Sequence, residues 1–254
     1  RRIVDRIIGF SLSKLLQKKI GSKSAGRVQS VALKLIVDRE KEIEKFDKQE
    51  YWEMLIQFSK KSKKLKAKLE KYNGEKLEIK NEQEANEIES NLTDKYIIDN
   101  IVVKEKEKAP KPAFITSTLQ QEASNKYNFN ARKTMQIAQS LYEGVELGKE
   151  RVGLITYMRT DSTRLSDEFV HSCKNYIIKE YGEPYYCGKV VAKKGKNVQD
   201  AHEAIRPSKI TYTPESIKKY LTSDEYKLYS MIYDRALSSL MSNAKVEDEK
   251  VYIN

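Results

Sequence analysis

Arginine is the scarcer base in this chain, and it gathers in a few polar segments. They are Arg1-Arg2-Ile-Val-Asp5-Arg6, Ser24-Ala-Gly-Arg27-Val-Gln29-Ser30, Tyr157-Met-Arg159-Thr-Asp161-Ser162 and His202-Glu203-Ala-Ile-Arg206-Pro207. A guanidinium offers a planar fork of donors that matches two oxygens of a phosphate. In the third segment an apolar run, Gly153-Leu-Ile-Thr, leads directly into a phenol, a guanidinium and hydroxyls. In extended chain the i, i+2 spacing puts Tyr157 and Arg159 on one side, where both can face one phosphate. A phenol, with an ordinary pKa of about 10, needs a nearby cation or base to become nucleophilic. Arg159 supplies a cation and can also stabilise transition-state charge. On these residues alone a buried structural tyrosine is the commoner outcome, since the chain has 16 tyrosines. By the same standard His202 reads as a locally satisfied histidine, and Arg27 with Gln29 as a solvated helix face.

The elements that must position these groups read as α+β, mainly helical. Ser24 can cap a helix whose apolar positions Val28, Val31, Ala32, Leu35, Ile36 and Ile43 keep the 3.6-residue period. An earlier helix with Ile3, Ile7 and Ile8 is expected to precede Gly9-Phe10. Lys64-Leu-Lys-Ala-Lys-Leu69 alternates, and Asn73-Gly74 supplies a tight turn before residues 76–79, which predicts one half-buried hairpin. Asn81 with Glu84 starts a short helix ending near Leu92. Residues 96–103 read as strand, and the charged, proline-bearing stretch 104–112 as a junction. Further helices are signalled by Thr118 with Gln121, by Asn130 with Gly144 as terminator, by Ser166 with Gly182, and by Thr222 with Glu225. The last carries a stripe of Tyr229, Ile232, Tyr233, Ala236, Leu237 and Leu240, expected to be core. Residues 189–196 read as an exposed loop.

The bulk properties agree with a polyanionic partner. The 254 residues carry a net charge of +11 with 39% hydrophobic and 33% charged residues. A basic excess attracts phosphates and gains from counterion release, although a lysine-rich surface alone produces the same number. The two cysteines, Cys173 and Cys187, and the two histidines show no zinc spacing, so no metal ligand is assigned. No apolar run is long enough for a membrane span and no signal peptide is visible, so a soluble, cytoplasmic protein is expected. The opening Arg-Arg and the strand-like close at residues 251–254 lead us to expect a piece of a longer protein.

Gly153-Leu-Ile-Thr-Tyr-Met-Arg-Thr-Asp-Ser162 closely resembles the active-site segment of the bacterial type IA DNA topoisomerases, in their topoisomerase I branch. Further stretches match in the same order. Residues 1–10 resemble the family's Arg-Arg-x-x-Asp-Arg-x-x-Gly-aromatic segment, and residues 24–40 its long helix beside the DNA groove. Phe114-Ile-Thr-Ser-Thr-Leu-Gln-Gln-Glu-Ala123 matches, and Ala201-His-Glu-Ala-Ile-Arg-Pro207 resembles its histidine motif. The likeness is weakest across residues 50–105. Met158 argues against topoisomerase III, which usually has proline there. A reverse gyrase would need a helicase module. A noncatalytic single-stranded DNA-binding module and a basic interaction scaffold are the readings from other classes.

The resemblance implies a central fragment of a multidomain enzyme. Residues 1–46 would be a helical DNA-groove segment, part of domain IV. Residues 47–108 and 244–254 would be a β-rich arch, part of domain II, and residues 109–243 a helical lobe carrying the nucleophile, domain III. It implies that Tyr157 attacks a backbone phosphate to leave a 5′-phosphotyrosine, relaxing negatively supercoiled DNA without ATP. Arg159 would hold the scissile phosphate and His202 a neighbouring one, with Glu203 and Arg206 orienting the segment. Arg27 and Gln29 would bind the single strand. Arg2, Asp5, Arg6 and Phe10 would form a base pocket, in which Phe10 stands where the family more often has tyrosine. The family's Mg²⁺ site lies in an N-terminal Toprim domain that this chain lacks, and no Asp-x-Asp-x-Glu run replaces it. The expectation is a monomer that meets DNA, touches no membrane, and is inactive as a fragment.

Overall fold

The computed structural model describes residues 2–21, 24–188 and 202–254. The expected loop at 189–196 lies outside them. The chain divides into two compact units, Arg1–Tyr96 and Ile97–Asn254.

The first unit opens with two long helices, α1 (Arg2–Ile20) and α2 (Arg27–Glu44). The expected break at Gly9-Phe10 does not occur, because a glycine inside a helix costs only about 1 kcal/mol and nothing there forbids the next turn. Ser24 does not cap α2. The cap is Gly26, in extended conformation, whose carbonyl accepts from the Ser30 backbone N–H at 2.8 Å and from Ser30 Oγ at 2.9 Å. Neither helix buries a single residue.

Strands follow: β1 (Leu55–Lys60), β2 (Lys63–Lys68), β3 (Lys71–Tyr72) and β4 (Glu75–Lys76). The single expected hairpin is in fact two. The alternating run at Lys63–Lys68 pairs antiparallel with Leu55–Lys60, not with the chain beyond Asn73-Gly74. Asn73 and Gly74, both at positive φ (52° and 85°), make a two-residue turn that joins only β3 to β4. Next comes α3 (Glu82–Ser90), capped by Asn81, whose Oδ1 accepts from the Glu84 N–H at 2.9 Å. The unit's buried core is confined to Ile79, Ala85 and Ile88, with Met54, Leu69, Tyr72 and Leu77 against it.

The second unit begins with β5 (Ile98–Lys108), which pairs antiparallel with the last strand, β8 (Ala244–Ile253). The charged stretch read as a junction is therefore strand through Lys108. In the ladder Lys104 lies opposite Asp248, and Lys106 is ion-paired with the same carboxylate. Between these strands lie α4 (Thr116–Tyr127), α5 (Ala131–Glu143), a hairpin of β6 (Val145–Leu147) and β7 (Glu150–Val152), α6 (Asp167–Tyr181), the short α7 (Pro214–Ile217) and α8 (Ser223–Ser238). Asn130, Ser166 and Thr222 cap their helices as expected, with a capping box at Thr222 and Glu225. Gly144 and Gly182 follow the ends of α5 and α6. Thr118 is not a cap: α4 starts two residues earlier, and Thr118 Oγ1 reaches back to accept from the Ile115 N–H at 3.1 Å.

The core of this unit is large. Phe114, Leu119, Leu141, Leu154, Met158, Ile177, Ile205, Leu228, Tyr229, Ile232 and Leu240 are all fully buried, and the α8 stripe is core as its period predicts. Cys173 is buried and Cys187 exposed, both as free thiols, and burial pushes the Cys173 pKa up to about 12. Among the described residues no helix is long and apolar enough to cross a membrane.

Candidate active site

Tyr157 sits just beyond a tightly held run. Leu154 N–H donates to the Leu141 carbonyl at 2.8 Å, and an ideal Cβ on Gly153 would lie 2.7 Å from the Tyr142 carbonyl oxygen. Only glycine permits that approach. Ile155 forms a bridge to Pro207, and Phe114 forms one to Ile205. Residues 204–208 are thus stitched on both sides. Thr156 N–H donates to the Arg206 carbonyl at 2.9 Å, Ser208 N–H to Leu154 at 2.9 Å, and Ile205 N–H to Phe114 at 2.8 Å.

Two threonine hydroxyls complete the clasp. Thr156 Oγ1 donates to the Ala204 carbonyl at 2.7 Å and accepts from the Arg206 N–H at 3.0 Å. Thr116 Oγ1, at the start of α4, donates to the Met158 carbonyl at 2.8 Å and accepts from the Thr160 N–H at 2.9 Å. The Tyr157 segment is fixed from both sides, with a simple burial pattern. Met158 (0% exposed) and Thr160 (7%) point inward, while Tyr157 is 40% exposed and Arg159 is exposed with it. Tyr157 and Arg159 are both exposed, although residues 158 and 159 form a bend rather than the extended chain that the i, i+2 argument assumed.

The Tyr157 ring lies edge-on to Tyr142, centroids 5.4 Å apart, and 6.2 Å from the half-buried His202 ring. Arg159 and His202 line a shared surface cavity of about 420 Å³ with Ser117, Gln120 and Asp161. The backbone thus brings Tyr157, Arg159 and His202 to one surface.

Arg206 does something different. Its guanidinium is only 12% exposed and bonds inward, Nε to Glu203 Oε2 at 2.7 Å, Nη1 to the Pro207 carbonyl at 2.9 Å, and Nη2 to Ser166 Oγ at 3.2 Å. It also lies 4.5 Å over the Phe169 ring. Burial works against the Glu203 carboxylate. The hydrogen bond and charge of Arg206, the Ser166 N–H and Arg164 outweigh burial, so the Glu203 pKa falls below its ordinary value. Glu203 and Arg206 therefore anchor the start of α6 to the His202 segment.

The remaining candidates lie in the first unit. Arg2, Asp5, Arg6 and Phe10 line one concavity of about 810 Å³ along α1. The Arg27 guanidinium reaches the Asp5 carboxylate twice, Nε to Oδ1 at 3.0 Å and Nη2 to Oδ2 at 3.3 Å. Phe10 is 67% exposed, and Gln29 is an exposed residue of the first turn of α2. Sequence reading missed the two threonine clasps and the cavity wall formed by Ser117 and Gln120. Their one signal was Thr116-Ser-Thr118 ahead of an apolar position, which reads equally as capping. Among the described residues no three His, Cys, Asp or Glu side chains gather as a metal site.

A phenol, a guanidinium and an imidazole thus stand close together on accessible surface of the second unit. The family model described as DNA topoisomerase matches residues 1–254. DNA topoisomerase 1 of Rickettsia felis is 49% identical over 251 residues, covering 96% of this chain and 32% of the relative. That of Rickettsia prowazekii matches at the same identity and coverage. A solved structure of full-length topoisomerase I from Thermotoga maritima superimposes with a TM-score of 0.76 at 41% identity, covering 100% of this chain and 40% of that one. The chain belongs to the DNA topoisomerase family of bacterial type IA enzymes. It spans about a third of the length of the curated relatives it matches.

Proposed function

We propose that this chain is the nucleophile-bearing part of an enzyme that cuts and reseals one DNA strand. The Tyr157 phenolic oxygen attacks a backbone phosphorus. The Oη–P bond forms, the P–O3′ bond breaks, and the phenolic proton leaves as the 3′-oxygen gains one. The product is a 5′-phosphotyrosine and a 3′-hydroxyl. The ester retains the bond energy, so the reverse attack reseals the strand without ATP, and strand passage in between relaxes negative supercoils. Arg159 holds the scissile phosphate and stabilises its transition-state charge. His202 contacts a neighbouring phosphate.

Arg2, Asp5, Arg6 and Phe10 receive a base, with the Phe10 ring stacking on it. Arg27 and Gln29 bind the single strand, Arg27 being oriented by Asp5. In this reading residues 1–46, 47–108 with 244–254, and 109–243 are the groove segment, the arch and the nucleophile lobe. The protein is a cytoplasmic monomer. The Mg²⁺ of the complete enzyme would supply charge neutralisation from residues outside this chain. The described residues do not fit a metal centre, and no step here passes through one.

The observation that carries this reading is the exposed Tyr157 held beside Arg159 and His202. Tyr157→Phe in the complete enzyme is expected to abolish detergent-trapped covalent DNA adducts while leaving noncovalent binding of single-stranded DNA near its original affinity. An adduct formed on another residue overturns the assignment. This chain alone, with Mg²⁺, is expected to relax no supercoiled plasmid.

A further inference from the structure

The face of α4 beyond the Tyr157 site is polar and uncharged. Ser117, Gln120, Gln121, Ser124 and Asn125 recur at i, i+3, i+4, i+7 and i+8, so they share one face. All are uncharged hydroxyls or amides, in a chain that is 33% charged. Two cavities run along this face and share Gln120 as a common wall. One, of about 420 Å³, is the cavity of Arg159 and His202. The other, of about 390 Å³, is lined by Gln120, Gln121, Ser124, Asn125 and Ala131. The polar face is thus continuous with the proposed phosphate site.

The neighbouring polar side chains are engaged within the protein. Thr116 clasps residues 158 and 160, Thr118 bonds Ile115, and Glu122 is ion-paired with Arg235 at 3.1 Å and with Lys126 at 3.2 Å. Glu122 is the one carboxylate of α4. Its ion pairs hold its pKa below the ordinary value against the opposing effect of burial, so it stays ionised among its cations. The five stripe side chains, by contrast, bond to no other described residue, which leaves their donors and acceptors available.

We infer that this stripe is the track on which the covalently tethered DNA strand lies. The inference rests on the function proposed above: a 5′-phosphotyrosine on Tyr157 leaves the strand on the 5′-phosphoryl side attached to this unit. Serine, asparagine and glutamine contact phosphate and sugar oxygens without reading sequence. Lacking charge, they hold a strand weakly enough for it to shift and return for resealing. From Ser117 to Asn125 the helix rises about 12 Å, enough for a short stretch of strand.

The test titrates this chain with a fluorescein-labelled oligothymidylate and maps photocrosslinks from the same oligomer carrying 4-thiothymidine. The double variant Gln121→Glu, Ser124→Glu puts two carboxylates on the track. Ser172→Glu, Asn175→Glu puts the same charge on the exposed face of α6, and Arg159→Ala reports on the phosphate site. The track predicts a several-fold weaker affinity and loss of crosslinks within 117–125 for the first double variant, with little change for the second. Equal weakening by both, or crosslinks on the second unit that avoid residues 117–125 in the original chain, overturns the track. If Arg159→Ala weakens binding while the track variant does not, the track alone falls. If the track variant weakens binding and Arg159→Ala does not, the track stands and the assigned role of Arg159 falls.

Discussion

Helices α2 and α8 have similar lengths and the same amphipathic period, yet they meet opposite fates. In α8 the stripe disappears into the core, with Tyr229, Ile232 and Ala236 at 0% exposure. In α2 the equivalent stripe stands in solvent, with Val28 at 76%, Leu35 at 67% and Ile36 at 65%. Periodicity specifies that a helix has an apolar face. It does not specify what covers the face. The candidate site residues follow the same division. Tyr157 and Arg159 stand between Thr156, Met158 and Thr160, whose backbones are bonded to Arg206 and Thr116, so this stretch of chain is set before any ligand arrives. Arg27 and Asp5 are held to each other by an exposed ion pair, a kind of contact worth about 0–1 kcal/mol. The second unit holds its candidate groups on hydrogen-bonded chain over a large core, whereas those of the first unit stand on α1 and α2, which bury no residue.

This contrast can be broken by matched substitutions. Ile232→Ala should destabilise the second unit by about 2–5 kcal/mol through a core cavity. Ile36→Ala, at an exposed helix position, should stay within about 0.5 kcal/mol. Hydrogen exchange resolved by peptide reads each unit separately, and a large loss of protection from Ile36→Ala would show that α2 is covered after all. A smaller effect sharpens the account of the site. Thr116→Val removes the acceptor of the Thr160 N–H and should cost about 1–3 kcal/mol, with faster exchange at residues 158–160. Thr116→Ser should restore both, and failure of that rescue would mean that the methyl group, not the hydroxyl, holds the segment.

The smallest effect concerns acid. Glu203, Glu122 and Glu225 all have pKa values below the ordinary 4.5 in the folded chain, so the unfolded chain binds more protons there. Their stabilisation is whole above about pH 4.5 and is lost as pH falls through the lower folded values. Glu203→Gln should lower stability at neutral pH and flatten its decline below that point. An unchanged acid limb in denaturant titrations would remove Glu203 from the account of how His202 is held.

Local chemistry was the most legible part of the chain. Asn81, Asn130, Ser166 and Thr222 cap helices because a short polar side chain can reach an unpaired N–H within three residues, and no distant partner is needed. Errors came wherever two local signals competed. Ser24 lost to Gly26, and the Asn73-Gly74 turn was real but joined a different pair of strands from the one its neighbours suggested. The alternating lysine run could not declare which strand it would face.

Residue type and spacing by themselves settled which groups could do chemistry: a phenol two residues from a guanidinium, with a histidine segment some forty residues on. They also settled the helical faces and most of their ends, since these depend on contacts within a few residues. Only the tertiary structure decided that Tyr157 is exposed while Met158 beside it is buried, that Arg206 turns inward as a clamp while Arg159 turns outward, and that the stripe of α8 is covered and that of α2 is not. Those outcomes depend on chain brought together from far along the sequence, where no residue carries a local mark of its partner.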